Sequence, residues 1–200
     1  MPNRARIVFA SVVLAVAAAV VAVALLFGPS GPASIGKALV GGAFGLTDHM
    51  GNRVTDKSFP GKYLLVFFGY TSCPDVCPGG LQTVSAALDE MGRDADMVQP
   101  LFITIDPARD TVPVMKDYVS NFHPRLIGLT GTDAEIATVA KAYRVFYGRP
   151  KGEEVKADYL MDHTAIFYLM APDGSFATHV SYGTSARDMA AKITSAIGAK

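Results

Sequence analysis

The chain has no excess charge of either sign, 18 Lys and Arg standing against 18 Asp and Glu over 200 residues. No broad field is therefore available to recruit nucleic acid or an anionic lipid surface. Cysteine is nearly absent: the two thiols, Cys73 and Cys77, are too few for a disulfide-stapled scaffold, and a chain of this length has no need of one. No internal repeat is present, nor any low-complexity tract beyond one apolar run near the N-terminus. Charge is missing altogether from that run, Ile7 to Phe27, which has about the ~20 residues a helix needs to cross a bilayer.

Arg4 and Arg6 precede the run and the next basic residue is Lys37, so the positive-inside bias keeps the N-terminus cytoplasmic and exports the rest of the chain. The competing reading is a cleaved signal peptide with Ala22-Val23-Ala24 as its small-residue site, although signal apolar regions are usually shorter, about 7–15 residues. Either reading puts the folded part outside the cytoplasm. Without a long Arg- and Ser-rich leader, the expected setting is a bacterial inner membrane with the domain in the periplasm. The expected organisation is residues 1–6 cytoplasmic, 7–27 a single-pass anchor, 28–39 a Gly-, Pro- and Ser-rich linker, and 40–200 one domain.

Within that domain, Phe44–Leu46 and Arg53–Thr55 flank the turn-rich Asp48-His-Met-Gly-Asn52 and predict a short hairpin at one edge of the sheet. Lys62–Phe68 is a continuous apolar run between glycines, as expected of a strand buried on both faces. Leu81, Val84, Leu88 and Met91 then recur at helical spacing behind Pro78. A strand over Leu101–Ile105 leads to a helix started by Thr111 that carries Met115, Tyr118, Val119 and Phe122. A third strand comes next at Leu126–Leu129, and Thr132-Asp-Ala-Glu135 forms a capping box for another helix. Beyond a polar stretch from Gly148 to Asp162, Thr164–Met170 and Ser175–Val180 form a hairpin around Ala171-Pro-Asp-Gly174, and a last helix from Ser185 carries Met189, Ile193 and Ile197. The pattern predicts an α/β sandwich with a mixed central sheet.

The two cysteines lie where a buried strand gives way to a helix, so their sulfurs project from the sheet rim near a helix N-terminus, which favours thiolates. If the loop approaches helical form, residues four apart share a face and both sulfurs can reach one ion or each other. Two thiolates alone are an incomplete metal site; His163, at the start of the late hairpin, is the candidate third ligand. Two sulfurs and one imidazole suit Cu(I), whereas structural Zn²⁺ ordinarily takes four ligands. Asp162 or a backbone carbonyl is available to orient the ring. A structural disulfide between Cys73 and Cys77 is the plainer alternative, although so small a loop gains little stability from closure.

The segments FFGYTSCPDVCP (67–78), TIDPARDT (104–111), GLTG (128–131), YRV (143–145), DHT (162–164) and APDG (171–174), taken in order, resemble the Sco/SenC copper-binding assembly proteins of cytochrome c oxidase. The resemblance implies a thioredoxin-like, peroxiredoxin-related fold behind an N-terminal membrane anchor, with copper as Cu(I) or Cu(II) on Cys73, Cys77 and His163. It implies a role in building the dinuclear copper centre of oxidase subunit II, as copper donor, as thiol reductant of that subunit through the Cys73/Cys77 dithiol, or as both. An upstream periplasmic copper donor is an implied second partner. A thiol:disulfide oxidoreductase that reduces partner cysteines or senses redox state, with Cys73 attacking and Cys77 resolving, and a peroxide-reducing enzyme are the rival readings; the first is disfavoured by the extra residue relative to Cys-x-x-Cys, and the second rests on fold analogy alone.

The other candidates have ordinary expectations. His49, His123 and His179 have no ligand neighbours at useful spacing; Met91, Met115 and Met189 fall on apolar helix faces; Met161 is the one methionine close to His163 in sequence. Asp106, Arg109 and Asp110 stand just past a strand end, where either function or a salt-bridged loop is expected.

Overall fold

A computed structural model describes residues 40–148 and 159–198; the expected cytoplasmic stub, anchor, cleavage site and linker lie outside these residues. Among the described residues no helix is long and apolar enough to cross a membrane.

The Lys62–Phe68 run becomes β3 (Tyr63–Gly69), in which every residue after Tyr63 is buried. It pairs in parallel with β4 (Val98–Thr104) on one side and antiparallel with β8 (Ile166–Met170) on the other, which explains its unbroken apolar sequence. Parallel β5 (Ile127–Thr130) lies beyond β4. The predicted hairpin, β1 (Gly45–Asp48) with β2 (Arg53–Thr55), closes that edge, and β9 (Phe176–Ser181) closes the other. The sheet order is therefore β2-β1-β5-β4-β3-β8-β9, a mixed sheet.

Among the described residues four α-helices accompany it: α1 (Val76–Met91), α2 (Val112–Val119), α3 (Asp133–Ala142) and α4 (Ala186–Ile197). Helix α1 packs along α4, and Gly80 lets α1 approach the sheet, since a methyl there would sit 3.0 Å from the Phe167 ring. Beneath it Phe67 and Phe167 stack with centroids 4.4 Å apart, joining β3 to β8. The capping box at α3 forms as expected, with Thr132 accepting from the Glu135 amide and Glu135 accepting from the Thr132 amide.

Three expectations shift. Helix α2 ends at Val119, so Phe122 belongs to the turn after it, where its ring still meets Tyr118 at 5.2 Å. Strand β4 starts at Val98 and runs through Pro100; the proline removes one ladder donor without ending the strand. His163 does not open the late hairpin. It belongs to a separate two-residue strand, β7 (Asp162–His163), paired antiparallel with β6 (Tyr147–Gly148), where Tyr147 faces His163. The reason lies in Thr164, whose amide donates to the Phe146 carbonyl while its hydroxyl accepts from the Phe146 amide, so that pairing on the β9 side begins only at Ala165, whose carbonyl accepts from the Tyr182 amide.

Candidate metal centre

Strand β3 delivers the chain to the sheet rim at Gly69, and α1 takes it back six residues after Tyr70. Cys73 lies in the intervening loop and Cys77 in the first turn of α1; neither is disulfide-bonded. The sulfurs do not meet by sharing a helix face, because the helical conformation starts only at Val76. They meet because the Cys73 sulfur serves as the helix cap: the Cys77 amide, one of the orphan donors of the first turn, donates to Cys73 Sγ at 3.3 Å. Asp75, at the cap position itself, makes no side-chain capping bond.

Cys77 is fully buried and Cys73 half-buried. Space for the Cys77 sulfur comes from Gly69, where any Cβ would fall 2.6 Å from Cys77 Sγ and 2.8 Å from the Phe102 ring. In sequence that glycine is legible only as a strand boundary; its close approach to a sulfur is a tertiary fact with no local signal.

His163 arrives from β7, between the edges of two rings: Phe67 at 6.2 Å and 67°, and Tyr70 at 6.1 Å and 87°. Its Nε2 lies 3.5 Å from Cys77 Sγ. Its Nδ1 lies 3.2 Å from the Thr164 carbonyl oxygen, which can only accept, so Nδ1 carries the proton and Nε2 presents its lone pair to the sulfurs. Of the two orienting groups expected from sequence, the backbone carbonyl takes the role, whereas Asp162 is exposed and makes no hydrogen bond to the ring. The donor atoms of Cys73, Cys77 and His163 all lie within 4.8 Å of one another. No other such group of His, Cys, Asp or Glu occurs among the described residues.

The dithiol is electrostatically asymmetric. Cys73 is held well below the ordinary thiol range, first because the Cys77 thiol donates to it and also through the Cys77 and Asp75 amides, against partial burial. Cys77 is pushed up by the same shared bond, by its own burial and by the negative Cys73. The shared bond thus favours a single thiolate in the pair, on the more accessible sulfur. Because a lowered pKa keeps the thiolate populated as pH falls, alkylation of Cys73 by iodoacetamide should change less than about threefold between pH 8 and pH 6. An ordinary thiol, with pKa about 8.5, loses roughly tenfold per unit below that value. A tenfold-per-unit decline at Cys73 would contradict this account of the pair.

The remaining candidates lie elsewhere or support the site from behind. His49 Nδ1 accepts from the Gly128 amide, His123 Nδ1 from the Arg125 amide, and His179 stacks on Phe176; none approaches the sulfurs. Met91, Met115 and Met189 are buried in the core. Met161 packs at the core's edge and its amide donates to the Tyr70 hydroxyl. Asp110 is fully buried beneath the cysteine loop, accepting from the Thr71 amide at 3.1 Å and from the Thr71 and Thr104 hydroxyls at 2.5 Å each. Its carboxyl is raised above the ordinary range by burial, which these bonds oppose. Asp106 and Arg109 form an ion pair at the end of β4 together with Tyr159, a residue to which no sequence motif points.

Comparison with known proteins places this geometry among relatives. The family model described as SCO1/SenC matches residues 32–198. The protein sco1 of Schizosaccharomyces pombe is 46% identical over 165 residues, which is 82% of this chain and 63% of that protein. The mitochondrial SCO1 homolog of Homo sapiens is 47% identical over 162 residues, 80% of this chain and 53% of that protein. The chain therefore spans 53–63% of the length of these two relatives. Among solved structures, Bradyrhizobium japonicum ScoI with copper bound superposes with a TM-score of 0.71 at 48% identity, covering 78% of this chain and 98% of that one.

Proposed function

This chain belongs to the SCO1/SenC family, and on that footing we propose that it is a copper carrier holding one ion on Cys73, Cys77 and His163. The convergence of two sulfurs and a bare imidazole nitrogen within 4.8 Å carries the reading. Soft, low-coordinate ligation matches Cu(I), and an incomplete shell with one partly exposed sulfur leaves an incoming ligand a side from which to displace the ion. Because Cys77 keeps its proton in the metal-free state, capture at neutral pH releases about one proton per ion. The acceptor we assign is the dinuclear copper centre of cytochrome c oxidase subunit II, with an upstream periplasmic protein as donor. The same reading has residues 7–27 anchor the protein in a bacterial inner membrane and residues 28–39 hold the 40–200 domain off its outer surface.

Anaerobic titration of the reduced domain with Cu(I) tests the carrier reading. Binding should saturate at one ion per chain, and Cys73→Ala, Cys77→Ala and His163→Ala should each weaken retention against a chelator. Unchanged retention in all three would remove the site.

A second reading is favoured by one observation, the pairing of a half-exposed thiolate with a buried thiol. That is the layout of an attacking and a resolving cysteine, and it suits reduction of the partner's own copper-ligating cysteines before transfer. Exchange with a partner disulfide should then require both sulfurs and be nearly indifferent to His163.

A further inference from the structure

The two sulfurs and the imidazole are held by unequal means. Cys73 and Cys77 stand on the junction of a central strand and a long helix, whereas His163 is carried by a ladder of two residue pairs. So short a pairing has little stability of its own. What fixes the approach to His163 is a cluster at the end of β4. Arg109 pairs with Asp106, whose side chain is almost fully buried, and its Nη1 donates to the Tyr159 carbonyl at 2.9 Å. The guanidinium also lies 3.6 Å above the Tyr159 ring, and the Tyr159 hydroxyl returns to Asp106 Oδ1 at 2.6 Å. The guanidinium is 5.6 Å from the Tyr70 ring, the one set edge-on to His163, and the Tyr70 hydroxyl accepts from the Met161 amide. Asp106 is in turn fixed by its own amide, which donates to the Thr104 hydroxyl at the β4 terminus.

We propose that Asp106, Arg109 and Tyr159 are positioning residues for the metal site: they clamp the segment leading into His163 to the sheet rim that presents the cysteines. This rests on the carrier reading above. The clamp acts on His163: it sets how closely and for how much of the time Nε2 faces the sulfurs, whereas the sulfurs are held by the junction of β3 with α1 and by Asp110.

The test is a double-mutant cycle on Cu(I) affinity, measured by chelator competition on the reduced domain. Arg109→Met keeps the side-chain bulk and removes the fork; Tyr159→Phe, a milder change, removes only the bond to Asp106. In the wild-type background Arg109→Met should weaken Cu(I) binding about 10–100-fold, the range usual for groups that orient a metal ligand, and Tyr159→Phe by less. Arg109→Lys, which retains charge without the planar fork, should recover part of the loss. In the His163→Ala background both substitutions should cost less than about twofold, because the ligand they position is gone. Equal losses in the two backgrounds, or no loss in wild type, would overturn the clamp while leaving the carrier reading intact. Wild type and His163→Ala binding copper equally well would instead overturn both.

Discussion

Substitution of His163 by alanine should lower Cu(I) affinity by more than about 100-fold, since even groups that merely orient a ligand are commonly worth 10–100-fold. The ion should not be lost altogether, because two thiolates are soft enough to hold Cu(I) without a third donor. His163 also fills the space between Phe67 and Tyr70, so the loss must be separated from a packing effect. His163→Met does so: a thioether is a soft ligand of similar reach, and affinity should recover in part if ligation is what His163 supplies. Chelator competition on the three proteins measures this, and equal weakening by alanine and methionine would point to packing instead. Dithiol exchange by His163→Ala should stay within about threefold of wild type, because the Cys73 sulfur keeps its hydrogen bonds from Cys77 in the absence of the ring.

Loss of the Asp110 carboxylate should have the largest effect on stability. The group is fully buried, and three donors converge on it from two segments, Thr71 behind the end of β3 and Thr104 at the end of β4. Its own carbonyl accepts from the Thr130 hydroxyl at 2.7 Å, so the same residue ties in β5. In Asp110→Ala the Thr71 amide is left without its acceptor and the two hydroxyls must turn elsewhere. The expected cost is about 2–4 kcal/mol, since one unsatisfied buried donor alone costs about 1–3. At about 2–4 °C per kcal/mol for a domain of this size, the midpoint of thermal unfolding should fall by about 5–15 °C. Asp110→Asn retains an acceptor oxygen but turns an amide group toward other donors, and should lie between the two. Because Thr71 opens the loop that carries Cys73, copper binding should weaken in Asp110→Ala as well. A midpoint within about 2 °C of wild type would mean that the carboxylate is replaceable by water.

The sheet is readable from sequence because its strands obey simple rules. The apolar run of Lys62–Phe68, the Asp48–Asn52 turn and the Thr132–Glu135 capping box all report their structures locally. The α/β sandwich with a mixed sheet, the fold expected of a thioredoxin-like domain, results from them in order. The candidate donor set is legible as residue types, two soft sulfurs and an imidazole, but the place of His163 is not: it comes from β7 rather than from the late hairpin. What sequence cannot report is contact between distant segments. That Gly69 exists to seat the Cys77 sulfur, that Asp110 hangs the cysteine loop from two strands, and that Tyr159 closes a cluster with Asp106 and Arg109 all depend on residues brought together by folding. The β7 strand escapes a sequence reading because two residues are too few to show a period, and its pairing is set by Thr164 reaching back to Phe146.

The copper-carrier reading rests on the imidazole joining the sulfurs around one ion. X-ray absorption at the copper edge of the anaerobically loaded domain reads the first shell directly. Two sulfurs and one histidine nitrogen per copper, the nitrogen vanishing in His163→Ala, is the spectrum expected here; a shell of sulfur alone, unchanged by that substitution, would contradict it.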